Sequence, residues 1–140
     1  MLLALLLELN CLATNVYFES RGESESGQIA VAEVTLNRVL SNKFPNTICE
    51  VVHQGKTRNG APLRNQCQFS WYCDGKSDAI KNIEAWKDAY DIAIAYTKIK
   101  STSITEGALF YHSKTAQPRW ASSMELTATI DNHLFYKERT

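Results

Sequence analysis

Apolar residues recur at three- and four-residue steps from the start of the chain: Leu2, Leu5, Leu6, Leu9, Leu12, Ala13 and Val16 fall on one helical face. This spacing predicts a first helix packed along that stripe. Gly22 breaks the pattern, and Ser24 or Ser26 is placed to cap a second helix over residues 28–40. There Ile29, Ala32, Leu36, Val39 and Leu40 form an apolar face that Ala30, Val31 and Val34 thicken, which predicts a central helix buried on most sides. Phe44-Pro45 stops the chain, and Thr47-x-x-Glu50 has the form of a capping box opening a short helix through Val51 and Val52. Residues 55–66 read as an exposed loop, and residues 68–72 as a short strand or site-facing loop before the Asp74-Gly75 turn. Ile83, Trp86, Ala89, Tyr90, Ala93 and Tyr96 predict a long helix over residues 82–100. Residues 108–112 and 126–136 are rich in β-branched and aromatic types and predict short strands around an irregular stretch containing Pro118 and Trp120. The expected class is α+β, mainly helical with a small antiparallel β element.

Composition narrows the function. A chain of 140 residues, 44% hydrophobic and 21% charged, is expected to form one domain over residues 1–140 with its own core. Fifteen Lys+Arg balance fifteen Asp+Glu, so the broad positive field of a general nucleic-acid binder is missing. The leucine-rich start has no Lys or Arg before Leu2 and is interrupted by Glu8, so it reads first as a helix of the fold, with part of a leader as the alternative that Leu2, Leu3 and Leu5 leave open. No stretch is expected to reach the roughly 18 apolar residues of a membrane span. Cys11 fits the first helix as a small buried thiol. Cys49, Cys67 and Cys73 flank the loop-rich middle, where they are either packed as reduced thiols or supply one bridge if the protein works outside the cytoplasm. Cys67 and Cys73 lie too far apart for a zinc half-site. His53, His112 and His133 are scattered over three elements, so neither a metal nor another cofactor is expected.

Glu19 continues the apolar stripe of the first helix, two turns after Leu12. A carboxyl group there is expected to lose water, which raises its pKa and lets it serve as a general acid. Glu23 follows four residues on and is a possible second acid, since two neighbouring carboxyls can divide acid and nucleophile roles. Glu25 reads as a helix N-terminal acid. Phe69, Trp71, Tyr72, Tyr111, Trp120, Phe135 and Tyr136 lie near loops and strand ends, beside Gln68, Ser70, Asn132 and His133. Mixed apolar and polar lining of this kind suits a small concave site that stacks on sugar rings and binds their hydroxyls. Arg21 and Arg38 are expected to partner Glu23 and Glu33.

The strings Tyr17-Phe18-Glu19-Ser20-Arg21-Gly22-Glu23, Gly27-Gln28-Ile29-Ala30-Val31-Ala32-Glu33-Val34, Leu36-Asn37-Arg38-Val39, Phe44-Pro45-Asn46-Thr47-Ile48-Cys49, Cys67-Gln68-Phe69-Ser70, Phe110-Tyr111-His112 and Asn132-His133-Leu134-Phe135-Tyr136 resemble, in order, the SleB/CwlJ-type cell wall hydrolase family. The resemblance implies a lysozyme-like, lytic-transglycosylase-like domain. It would cut peptidoglycan glycan strands between N-acetylmuramic acid and N-acetylglucosamine, often as a lytic transglycosylase, with Glu19 as the catalytic acid. On this reading Gln68, Phe69, Ser70, Tyr111, His112, Trp120, His133 and Phe135 are candidates for holding substrate. The expected partner is the glycan strand alone, met by a monomer at the bacterial wall, in the periplasm or outside the cell. Without a leader or a wall-binding domain the chain suits a phage-type lysis or virion-associated enzyme. Two alternatives are a lysozyme-type muramidase using water and a non-catalytic peptidoglycan-binding module. An amidase would need a metal or an activated nucleophile.

Overall fold

The computed structural model describes residues 2–98 and 103–140. The chain runs through helices α1 (Leu2–Ser20), α2 (Glu25–Leu40) and α3 (Ile48–Val52), a hairpin of β1 (Gly55–Arg58) and β2 (Ala61–Cys67), and a 3₁₀ turn (Ser70–Cys73). Helix α4 (Ile83–Lys98) follows, then β3 (Phe110–Ser113), a second 3₁₀ turn (Arg119–Ser123), β4 (Met124–Ile130) and β5 (His133–Glu138). Both sheets are antiparallel, β1-β2 and β3-β5-β4, so the class is α+β as expected.

Helix α2 is the central element. Ser24 caps it, its hydroxyl accepting from the Gly27 amide. One side packs Val31 and Ala32 against Leu12, Ala13, Val16 and Tyr17 of α1 and Ala89 and Ala93 of α4. The other side packs Ala30 and Val34 against Ala108 and Phe135 of the sheet layer. Between them Glu33, 2% exposed, accepts hydrogen bonds from the Tyr96, Ser103 and Thr105 hydroxyls and from the Ile104 and Thr105 amides. That set binds α2 to α4 and to the segment entering β3, and it replaces the expected Arg38 partner.

A second buried polar chain joins α1 to the 3₁₀ turn. Asn15, fully buried, donates to the Thr35 hydroxyl at 3.2 Å and accepts from Trp71 Nε1 at 2.9 Å. Helix α3 begins with the anticipated cap, the Thr47 hydroxyl accepting from the Glu50 amide at 3.2 Å. Its first turn also takes a cap from α1, because the Glu8 carboxylate accepts from the Cys49 amide at 2.8 Å.

Several expectations are corrected. The apolar stripe of α1 is buried only from Leu12 onward; Leu2, Leu5 and Leu6 are exposed, because α1 extends past the elements that cover its C-terminal half. By length and composition α1 is apolar enough to cross a membrane, contrary to the expectation that no stretch would be. Residues 55–66 are not a loop. Asn59 and Gly60, both at positive φ, make the tight turn of a hairpin whose strands are exposed almost throughout. Residues 70–73 form a 3₁₀ turn and not a strand. Helix α4 is described to Lys98; the expected continuation to residue 100 lies outside the described residues. Finally, all four cysteines are paired. Cys11 bonds Cys49, and Cys67 bonds Cys73, so Cys11 is a tether between α1 and α3 and not a buried thiol.

The two bridges close loops of very different length, with sequence separations of 38 and 6. By loop-closure entropy, replacing Cys11 and Cys49 with Ala should cost about 4 kcal/mol, and replacing Cys67 and Cys73 about 2 kcal/mol. Urea unfolding of the two double variants checks the order. Equal losses would show that native-state packing around the bridges, and not chain entropy, sets their worth.

Candidate active site

Glu19 lies in the last turn of α1, half-buried, where the helix passes beneath β3. The Tyr111 hydroxyl donates a hydrogen bond to its Oε1. Arg38, 5% exposed on α2, adds a positive charge to the same neighbourhood. Burial raises the Glu19 pKa and outweighs the Tyr111 hydrogen bond and the Arg38 charge, which both lower it. Tyr111 is pushed well up by its own burial and by the adjacent Glu19, so it stays a protonated donor. A carboxyl group so placed holds its proton more tightly than a solvated one and can release it to an oxygen brought within reach.

Arg38 is the member of this group whose role the sequence did not reveal. Its Nε donates to the Leu109 carbonyl at 2.8 Å, while its Cζ lies 4.8 Å from the Phe44 ring centre, 5.1 Å from Phe69 and 5.7 Å from Phe110. Three aromatic faces thus hold the guanidinium in place. Its Nη1 is buried without a hydrogen-bond partner. Arg21 also departs from expectation: it donates to the Tyr17 hydroxyl at 2.6 Å and lies over the Tyr17 ring instead of pairing with Glu23.

Strand alternation divides the aromatic candidates. Tyr111 packs with Phe69, His133 and Phe135, at centroid distances of 6.5, 5.1 and 5.4 Å. His112, the next residue, turns the other way and packs with Trp120 and Tyr136. Its two ring nitrogens are held by the Ser113 carbonyl and the Tyr136 hydroxyl. The expectation that His112 and Trp120 share one lining with Tyr111 is therefore corrected. Phe135 is fully buried and Phe69 3% exposed; both pack behind Tyr111 and cannot offer a free face to a sugar. Gln68 and Ser70 flank Phe69 and are exposed.

Glu23 sits apart from this group. Its Oε1 lies 3.5 Å from His133 Nδ1, and His133 presents its ring edge-on to Tyr111. The turn between β4 and β5 puts His133 there: Asp131 accepts from the Ser24 amide at 2.9 Å and from the Ser24 hydroxyl. Those bonds hold the Asp131 pKa down. A Cβ on Gly27 would come within 2.5 Å of Asp131 Oδ2, so only glycine lets the turn close on α2. Burial lowers the His133 pKa despite Glu23 and Asp131 nearby. A cavity of about 750 Å³ between α2 and α4 is lined by Glu23, Glu25, Asp88 and Asp91 among others, and Glu19 is not part of its wall.

The profile of the family described as Cell Wall Hydrolase matches residues 22–136. Spore cortex-lytic enzymes of Bacillus cereus and Bacillus subtilis are 33% and 31% identical to this chain over 131 and 129 residues. These alignments cover 93% and 91% of the chain but only 44% and 37% of those relatives, so the chain spans less than half their length. Among solved structures, the catalytic domain of the Bacillus cereus SleB protein matches with a TM-score of 0.64 at 33% identity, covering 93% of this chain and 89% of that one. The catalytic domain of the germination-specific lytic transglycosylase SleB from Bacillus anthracis matches with a TM-score of 0.66 at 34% identity, covering 93% of both.

The raised pKa of Glu19 links protonation to stability. The folded state binds the Glu19 proton more tightly than the unfolded state, so the wild type loses stability as pH rises from the ordinary carboxyl range through the raised value. Glutamine does not titrate. The melting temperature of Glu19→Gln minus that of the wild type should therefore become more positive between pH 4 and pH 8. A difference that stays flat, or falls, in a calorimetric series would mean that burial does not dominate at Glu19.

Proposed function

The chain belongs to the cell wall hydrolase family, and on that premise we propose that it is a peptidoglycan lytic transglycosylase with Glu19 as its acid and base. The observation that carries this reading is the half-buried Glu19 carboxyl, raised in pKa by burial and held by the Tyr111 hydroxyl. The Bacillus anthracis relative, itself a lytic transglycosylase, supports the choice of reaction.

Glu19 gives its proton to the oxygen between N-acetylmuramic acid and N-acetylglucosamine as the bond to muramoyl C1 breaks. The departing N-acetylglucosamine keeps that proton as its hydroxyl. The muramoyl C6 hydroxyl then closes on C1 and returns a proton to the Glu19 carboxylate, leaving a 1,6-anhydro end and a regenerated acid. Because the nucleophile is tethered within the sugar, proximity supplies part of the barrier reduction. Tyr111 orients the carboxyl and steadies its anion between the two steps. Arg38 lends the same anion a fixed positive charge. Exposed Gln68 and Ser70 are the groups free to meet hydroxyl and acetamido groups. His133 and Glu23 act as positioning residues behind Tyr111. The enzyme acts as a monomer on wall glycan, outside the reducing cytoplasm, a setting that suits two disulfides.

Glu19→Gln should lower wall turnover by roughly 10²- to 10⁴-fold, the weight of a general acid, while Glu23→Gln keeps most of it. Acid–base chemistry at one carboxyl needs no metal, so EDTA should leave clearance of a wall suspension unchanged. Mass spectrometry of products made in ¹⁸O-water tests the reaction itself: anhydro ends take up no label and weigh one water less than reducing ends. Labelled reducing N-acetylmuramic acid as the main terminus would overturn transglycosylation in favour of a water nucleophile, with Glu23 as the group to activate it.

A further inference from the structure

The β1–β2 hairpin stands away from the core, and its charges have one sign. Lys56, Arg58 and Arg64 are exposed, and no carboxylate occurs between Glu50 and Asp74. Along β2 a shallow cavity of about 390 Å³ is lined by Pro62, Arg64, Tyr72, Cys73, Gly75 and Lys76. The Cys67–Cys73 bridge ties β2 to the 3₁₀ turn there. Gly75, at φ +81°, lets Arg64 lie across it: a Cβ would sit 2.9 Å from the guanidinium. Tyr72 is held by His53 stacked at 4.2 Å and by the edge of Trp71. Among the described residues no carboxylate lies within ion-pair distance of Arg64 or Lys76. Asp74, beside the cavity, accepts from the Lys76 amide.

Two unpaired cations beside an aromatic ring, held by a glycine and a disulfide, make a receptor for a carboxylate carried on a ring or short chain. We propose that this cavity is a subsite for the carboxylates of the wall polymer, with Arg64 and Lys76 as its anion contacts and Tyr72 as its apolar wall. It rests on the reading that wall glycan is the substrate. The 3₁₀ turn connects the cavity to the Glu19 group: Phe69, at its N-cap, packs against Tyr111, and Tyr72 within it lines the cavity wall. Peptidoglycan carries carboxylates of two origins: the lactyl group of a muramic acid without a peptide, and the free carboxyls of peptide stems.

The test is sedimentation binding of Glu19→Gln protein to insoluble strands of three kinds: native, stripped of stems by an amidase, and native with every carboxyl amidated by carbodiimide and methylamine. Amidation should weaken binding roughly fivefold or more, the weight of two exposed ion pairs. Arg64→Gln/Lys76→Gln in the same background should bind native strands that much more weakly and ignore amidation, and Arg64→Lys should restore part of the loss. Stripping frees one lactyl carboxylate for each stem removed, so stripped strands that bind as amidated ones identify the stem carboxyls, and stripped strands that keep the binding and lose it on amidation show that the lactyl carboxylate serves. Binding unaffected by amidation overturns the proposal, as does a double variant that keeps the native-to-amidated ratio. The amidation arm alters nothing in the cavity, so it decides even if the double variant is unstable. A wild type that fails to cut wall while this ratio holds would overturn the transglycosylase reading and leave the subsite standing.

Discussion

The structure depends on the exclusion of water from the C-terminal half of α1. Leu12, Ala13, Val16 and Tyr17 are fully buried, and a rigid helix that buries them has no freedom over where its next turn points. Glu19 follows Val16 by three residues and Leu12 by seven, so the same rotation that satisfies the core carries a carboxyl group to its edge. The buried Asn15 prevents adjustment, since it must meet both Thr35 and Trp71. Leaving either donor or acceptor unpaired would cost on the order of 1–3 kcal/mol. The raised Glu19 pKa is a consequence of how α1 packs.

That logic explains why the desolvation of Glu19 was legible in the sequence while much of its surroundings was not. Helical periodicity is a local signal, and it located α1, α2, α3 and α4 together with the Thr47 cap. The hairpin at residues 55–67 was missed because its strands bury almost nothing and so lack the apolar alternation that marks a half-buried strand. Its one available sign was Asn59-Gly60, a pair suited to tight turns at positive φ. Cys11 was misread for a different reason. Thirty-eight residues separate it from Cys49, and only the packing of α1 on α3 brings them together.

The sheet shows the same limit at the level of single side chains. Residues 111, 112, 133 and 135 looked equivalent as polar or aromatic neighbours, but pairing of Tyr111 with Phe135 and of Ser113 with His133 fixes alternate faces. Tyr111, His133 and Phe135 go to the helix side, and His112 joins Trp120 and Tyr136 on the other. A one-residue change of register would exchange the two sets. The Asp131 turn clamped on Ser24 and Gly27 resists that change, because the clamp holds the end of β5 at which His133 begins.

Glu19 and Glu23 are four residues apart, yet their surroundings differ in kind. Glu19 ends a buried helix and faces a hydroxyl donor and a distant cation, none of which neutralises it at ion-pair range. Glu23 follows the Gly22 turn, lines an open cavity and has His133 beside it. In the first environment loss of water dominates and favours the protonated form. Two carboxyls can serve as acid and nucleophile only when both face one bond. Here Tyr111 links their surroundings, bonded to Glu19 through its hydroxyl and touching His133, the neighbour of Glu23, through its ring. The two carboxyls therefore meet different neighbours, the Tyr111 hydroxyl at Glu19 and the His133 ring at Glu23.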